Sequence, residues 1–455
     1  MDDPLGLSPH GNVMAKPKSL IQIISDEEFL PLAQDSCAQF FNIYSLFELR
    51  IQKKREISRK FYSNLTQEAE FLESFMDEHG ARENKKWTFF VEYLASIRNL
   101  SIAAFYTRHI LDRYPYYNLS ELSASAEGFK EAANDVISFL DRSIFNLCKE
   151  LARTGAENGL SIPQNPQTQV EFIDIQANKR LPRNITEDEI KGEEDRIVDL
   201  CEKVQHVSKL MADLKIKRTD NIDGLKRVVP QKLDEKRVRF YKNLVHNTQS
   251  DFDTYIKNTL IEQDNIDLRK MRGYISIPLH LLELTLWLTH FYERHEDEIR
   301  HGESNRRISK MVDKNELLDK IINFGFYYSL YFIQEGSQLA RKILQRFSKI
   351  VHAELPIPKP LGFHARPSTY ISLIARRYGE GDLFLVIDGE KFNAKSVMSL
   401  LQAGGLISDK GYQTVTFVGD KRALEDIKVL AKHNYCEEKK IPARLSYLRD
   451  FKNTA

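Results

Sequence analysis

The chain is poor in the features that most directly announce chemistry. Only four cysteines occur in 455 residues, Cys37, Cys148, Cys201 and Cys436. Their spacing is neither paired nor that of a metal centre, which argues against a disulfide framework and for a reducing compartment. Charge of one sign is also lacking: 66 Lys and Arg face 65 Asp and Glu, for a formal net charge of +1. That balance removes the global basic field of a nucleic-acid binder and the acidic bias of a disordered chain. There is no run of about 18 apolar residues, and the first residues show no basic segment leading into an apolar stretch. Neither a membrane span nor a cleaved signal is expected, and a soluble cytoplasmic protein is the default. Phosphate-cradling glycine patterns of both nucleotide-binding types are missing, as is a serine in a nucleophile elbow. ATPase, dehydrogenase and hydrolase readings lose their usual warrant, and no cofactor is expected.

What the chain has is length and helical patterning. At 52.9 kDa it exceeds the size at which single cores stop growing, so two or more domains are expected. Residues 1–17 carry Pro4, Gly6, Pro9, Gly11 and Pro17 with few apolar anchors and read as a flexible arm. From Phe29 to about His79 the apolar residues recur at three- and four-residue intervals, as in one amphipathic helix or a pair. Further helical patterns run from Trp87 to Tyr114, from Leu119 through Leu151, from Glu187 to Leu214, from Pro230 to about Arg272, from Ile275 to His301 and from Asn315 to about Ser348. Residues 18–345 are therefore expected to form an all-helical domain, with a candidate division into two subdomains near 156–187. The only alternation in that segment is Val170 to Ile175.

Three constellations in the helical region invite a functional reading. His280, Glu283, His290, His295, Glu296 and His301 lie on or beside one helix. Yet they form no His-Glu-x-x-His pattern and have no matching Glu-x-x-His pair on a second helix, so no metal is expected. Phe324, Tyr327, Tyr328, Tyr331 and Phe332 have helical spacing and read as packing. The basic run Lys209 to Arg227 is interleaved with Asp213, Asp220 and Asp223, which breaks the one-sign surface that nucleic acid needs.

The pattern changes after Ser348. Ile350 to Leu355 alternates as a strand, and Tyr370, Ile371, Ile374, Ala375 and Tyr378 follow as a helix. Leu383 to Ile387 is closed by Asp388-Gly389, a hairpin signal leading into Glu390 to Asn393. Lys395 to Leu401 reads as a short helix, Thr414 to Val418 as a strand and Ala423 to His433 as a final helix. This order packs as a sheet with helices on one face. Between the first strand and its helix lies Gly362-Phe363-His364-Ala365-Arg366-Pro367. A histidine opening a helix sits among unpaired backbone donors at the positive end of the dipole. Those donors, at Ala365 and Arg366, suit a phosphoryl group on the imidazole, with Arg366 adding a fork of its own. Equally, such a histidine can simply cap the turn.

These residues resemble the phosphorylation motif of the histidine-containing phosphocarrier protein, HPr, of the bacterial phosphoenolpyruvate-dependent sugar phosphotransferase system. The run Asn393-Ala394-Lys395-Ser396-Val397-Met398 resembles the second signature of that family. The resemblance spans roughly residues 348–438 and implies an α/β open-faced sandwich over 346–438, leaving 439–455 as a C-terminal tail. It implies that His364, assisted by Arg366, accepts phosphate from a phosphoenolpyruvate-dependent phosphotransferase donor enzyme or another protein of that type. It further implies that Ser396 matches a serine modified by an ATP-dependent HPr kinase, and that Met398, Leu400 and Leu401 are candidates for a docking patch. Phe363 departs from the smaller residue usual before the histidine. The stretch Gln402 to Gly411 is about three residues longer than the family's turn, and a longer loop is expected there. The expected function is a phosphoryl carrier or regulatory protein rather than a stand-alone enzyme. The alternative is a non-catalytic scaffold that uses the HPr-like fold for protein–protein interaction.

Overall fold

A computed structural model describes residues 22–117, 119, 124–163, 193–296, 298–347, 350–378, 383–438 and 440–453. The arm expected at 1–17 and residues 164–187 of the expected division, including the Val170–Ile175 alternation, lie outside the described residues.

The N-terminal region is helical. The long Phe29–His79 pattern resolves into α1 (Asp26–Gln52) and α2 (Arg59–Glu78), each opened by a serine. Ser25 forms a reciprocal capping box with Glu28, and the Ser58 hydroxyl accepts from the Phe61 N–H. There follow α3 (Thr88–Arg113), α4 (Ala124–Glu157), α5 (Glu193–Ala212), α6 (Ile222–Val228), α7 (Glu235–Tyr255) and α8 (Leu260–Asp264). The array closes with α9 (Ile266–Glu296), α10 (Glu298–Ile308), α11 (Lys314–Asp319), a π-helical stretch Lys320–Phe326 and α12 (Tyr327–Phe347).

Two sequence breaks do not become structural breaks. Gly273 and Pro278 both lie inside α9. The glycine is there because a Cβ would meet Tyr117 at 2.8 Å, so the helix continues and lets its neighbour approach. Buried apolar side chains from Phe29 on α1 to Ile343 on α12 form a single core. Among the described residues the two sides of the 156–187 segment share one buried interior. The aromatic run packs into it: Phe324 stacks on Phe129 at 5.7 Å, and Tyr328 meets the same ring edge-on at 4.9 Å.

The tempting histidines are dispersed among different partners. His290 Nδ1 lies 2.8 Å from Glu235, Glu283 pairs with Lys242, and the His280 ring packs edge-on against His109 at 4.3 Å. Among the described residues no group of three or more His, Cys, Asp or Glu side chains is placed to hold a metal ion. No described helix is long and apolar enough to cross a membrane. All four cysteines are buried thiols, and burial pushes Cys37 and Cys201 up to about 12.

Residues 350 onward form a second core around a four-stranded antiparallel sheet in the order β1-β4-β2-β3. The strands are β1 (Ile350–Pro356), β2 (Phe384–Ile387), β3 (Glu390–Asn393) and β4 (Thr414–Asp420). Ile350 pairs with Asp420 at one end of the β1–β4 ladder, and Phe384 faces Val418 in the β2–β4 ladder. The helices are α13 (Ala365–Arg377), α14 (Val397–Lys410) and α15 (Lys421–Lys432).

Two expectations are corrected here. Gln402–Gly411 is not a longer loop but the continuation of α14, ended by Gly411 in the left-handed conformation. Leu400, Ala403 and Ile407 carry the buried face at three- and four-residue spacing straight through it. The presumed tail is also packed: Ile441, Leu445 and Leu448 are buried in the second core.

One consequence of the helical interior is acid sensitivity. Burial, reinforced by the Arg59 and Arg113 guanidinium groups, pulls His109 down to about 4; burial, His109 and the same arginines pull His280 to about 3. An unfolded histidine titrates near about 6.5. Between that pH and about 4 the unfolded chain therefore binds protons that the folded chain does not, and stability falls as pH falls. The expected loss is on the order of 1 kcal/mol per pH unit per histidine. Urea unfolding from pH 7 to pH 5 should show a shallower loss for His280→Gln than for the natural chain. Parallel slopes would disprove the assignment.

Candidate functional site

The site is built at the start of α13. Gly362, in the left-handed conformation at φ 67°, turns the chain after β1. Phe363 then enters the core at 2% exposure, its ring 5.5 Å from Tyr435 and 6.2 Å from Phe417. That anchor explains why a bulky residue stands before the histidine. His364 follows as the N-cap, in extended conformation, its carbonyl accepting from the Ser368 N–H. Pro367 falls in the first turn, where its missing donor costs nothing.

α14 closes against the same loop. A Cβ on Gly404 would stand 2.6 Å from the Phe363 carbonyl oxygen, so only glycine permits the helix to lie on the backbone that precedes His364.

The His364 ring is held from two sides. Its Nδ1 faces the helix start and accepts a long 3.5 Å hydrogen bond from the Arg366 N–H. Its Nε2 lies 2.7 Å from Glu437 Oε1. Arg366 reaches the same residue: its guanidinium donates to the Glu437 carbonyl at 2.9 Å and lies 3.5 Å from the carboxylate. The His364 side chain is 31% exposed and Glu437 only 13%.

Of the residues expected from sequence, His364, Ala365 and Arg366 stand together at the start of α13; Glu437, which lies 73 residues further on, was not among them. An unusual turn delivers it. Asn434, Tyr435 and Cys436 are three successive non-glycine residues with positive φ, at 47°, 56° and 60°. Each such residue costs on the order of 1 kcal/mol, so the turn must be held. The Asn434 amide does so by accepting from the Lys359 N–H at 2.9 Å and donating to the Lys359 carbonyl at 2.6 Å. The Tyr435 hydroxyl donates to the Pro356 carbonyl at 2.8 Å. No glycine marks this turn in the sequence, so no local signal announced it.

The remaining candidates sit on or beside α14. Ser396 is its N-cap, half-buried, accepting from the Ser399 N–H at 3.2 Å. Met398 is 67% exposed and Leu401 is partly buried. Leu400 is fully buried in the domain core and is therefore removed from the docking patch: its side chain completes the α14 interior face.

Replacing Gly404 tests how firmly this loop is held. Gly404→Ala drives a methyl group into the Phe363 carbonyl, and overpacking of this kind costs about 1–3 kcal/mol. Urea unfolding should register that loss, and the Arg366 amide resonance should shift. Unchanged stability would mean that α14 does not clamp the loop.

The comparisons with known proteins bear on one region of the chain. No curated protein and no solved structure matches the chain, and the helical region has no family match. Residues 351–428 match the family model described as the PTS HPr component phosphorylation site, and the C-terminal region is thereby identified as a domain of the PTS-HPr family.

Proposed function

We propose that His364 receives a phosphoryl group on Nδ1 from a phosphoenolpyruvate-dependent phosphotransferase donor enzyme and passes it to a second protein, while the helical region reads the phosphorylation state. The observation that carries this reading is the 2.7 Å contact between His364 Nε2 and Glu437. It assigns the ring proton to Nε2, which donates to the carboxylate, and so leaves the lone pair on Nδ1 at the helix start.

The chemistry follows from that tautomer. The Nδ1 lone pair attacks the donor's phosphorus, an N–P bond forms, and the bond from phosphorus to the donor breaks with its electron pair leaving on the donor. Because Nε2 keeps its proton, the ring becomes positively charged, and the Glu437 carboxylate stabilises that charge. The Arg366 N–H turns from Nδ1 to a phosphoryl oxygen, and its guanidinium meets the others. Return of the group to an acceptor reverses the steps.

Accessibility supports transfer over the scaffold alternative. Among the described residues, the hydrogen bonds and ion pairs of His364 and Arg366 all stay within the C-terminal region. A histidine buried against the helical array would have favoured the scaffold. Met398 and Leu401 are assigned to partner docking. Ser396 is assigned as the target of an ATP-dependent HPr kinase, since a phosphate at a helix N-cap adds charge where the dipole accepts it.

The test uses the purified chain with phosphoenolpyruvate and the general donor enzyme of a phosphotransferase system. Intact mass should show one acid-labile phosphate, absent from His364→Ala. An active donor that leaves the natural chain unmodified would reject the proposal. Glu437→Gln keeps a hydrogen-bond acceptor but removes the charge. Its phosphorylation should be slower by about tenfold or more, equivalent to about 1.4 kcal/mol in the barrier. An unchanged rate would remove Glu437 from the mechanism.

A further inference from the structure

A second feature lies in the helical region, apart from the phosphoacceptor site. A polar cavity of about 800 Å³ opens between α2, α3, α9 and α10. α3 lines it with Thr88, Glu92, Ala95 and Asn99, which stand four, three and four residues apart and so share one face. A face turned into a bundle is ordinarily apolar. That row carries no large apolar side chain, with Phe89 and Arg98 of the same helix beside it, and it bounds a volume in the range of small-molecule sites.

Among the buried polar atoms at the cavity that lack a hydrogen-bond partner are Asn99 Oδ1 and Arg98 Nε. Asn99 is 4% exposed and its Oδ1 accepts no hydrogen bond. Arg98 Nε is buried without an acceptor, although the same guanidinium reaches Glu73 at 3.2 Å through Nη1. Native interiors leave few such atoms unmet, and those that remain call for an explanation.

The charges show what kind of ligand answers them. Glu73 is held between Arg82 and Arg98, Glu92 lies 4.0 Å from the Arg82 guanidinium, and Glu303 pairs with Arg307. Arg294 is exposed at the cavity and forms no ion pair among the described residues. An adjoining groove of about 610 Å³ shares Glu303 and adds Arg306 and Lys310. The acids are thus largely neutralised from within, and cationic donors remain.

We propose that this cavity binds a small organic oxyanion, a phosphate ester or a polycarboxylate, that also carries a hydroxyl or amine donor. Anionic oxygens accept from Arg98 Nε and Arg294, and the ligand's donor answers Asn99 Oδ1. A neutral polyol leaves the arginines unmet, and a bare inorganic anion leaves the asparagine unmet.

Isothermal titration calorimetry on the full chain tests the assignment, with sn-glycerol 3-phosphate and citrate as probes, glycerol as the neutral control and sodium chloride matching the ionic strength. Saturable binding of one or both anions, but not of glycerol, is expected, and the preferred anion distinguishes phosphate from carboxylate recognition. Arg294→Ala, an exposed change, should weaken that binding by about tenfold, as expected for a charged hydrogen bond, without altering the melting temperature of the ligand-free chain. Asn99→Leu should weaken it as well. If neither anion binds, the cavity is a hydrated packing gap and the proposal fails. It fails equally if binding is unaffected by both substitutions, because the anion then sits elsewhere.

Discussion

The arrangement around His364 depends on one contact, the carboxylate of Glu437 against Nε2 of the ring at 2.7 Å. A histidine cap could swing about its side-chain torsions, presenting either nitrogen to solvent. Glu437 removes that freedom by engaging one nitrogen, and the start of α13 engages the other. The contact also needs Arg366, whose guanidinium bonds the Glu437 backbone carbonyl at 2.9 Å and so fixes the carboxylate from behind. Histidine, arginine and glutamate are consequently one unit: each holds a second member in place while meeting the third.

That unit is stabilised from the core outward. Phe363, the residue just before the histidine, packs on Tyr435, the middle residue of the left-handed turn that presents Glu437. One aromatic contact therefore ties the two halves of the site together, and the buried Tyr435 hydroxyl fastens the turn to the end of β1. The turn's backbone strain is local, but the bonds that offset it are spread over Lys359, Pro356 and Phe363. Such over-determination is how a strained conformation persists. It also makes Phe363 more than a tolerated departure from a smaller residue, because Tyr435 supplies the matching surface.

The legible parts of the chain were those written in local sequence. The strand–helix alternation after Ser348, the Asp388-Gly389 hairpin and the histidine before an amphipathic helix are short-range patterns, and the sheet formed as those patterns require. The misreadings came from long-range packing. The Gln402–Gly411 stretch was expected to be a longer loop, yet Leu400, Ala403 and Ile407 keep α14 going because their burial outweighs the penalty of about 1 kcal/mol for each of Gly404 and Gly405. Gly404 is better explained by the backbone oxygen of Phe363 lying against it. The π-helical stretch at Lys320–Phe326 left no mark in the periodicity. Glu437 was invisible for a related reason: its role is set by a turn built from Asn, Tyr and Cys, residues that carry no positive-φ signature of glycine.

The placement of the two regions constrains how a phosphoryl group on His364 can be felt beyond its own domain. Among the described residues an ion pair joins that domain to the helical array: Glu202 on α5 pairs with Arg422, which also pairs with Asp420 and lies over the Tyr378 ring. Burial raises the Glu202 carboxyl, and Arg422 opposes that rise. α13 begins beside His364 and is capped at its end by Tyr378, whereas α15 begins at Lys421, next to Arg422, and ends near the Glu437 turn. The two helices run between phosphoacceptor and interface in opposite directions. Thirteen residues of α13 span about 20 Å, more than twice the screening length of about 8 Å at physiological salt. Charge added at His364 is therefore weak at Arg422 as a bare field. On the proposed function, a phosphoryl group competes for Arg366 and draws the Glu437 carboxylate toward a newly cationic ring, at the turn that follows α15. On that same reading, the route from His364 to Glu202 runs along α13 and α15, whose ends carry the two sites.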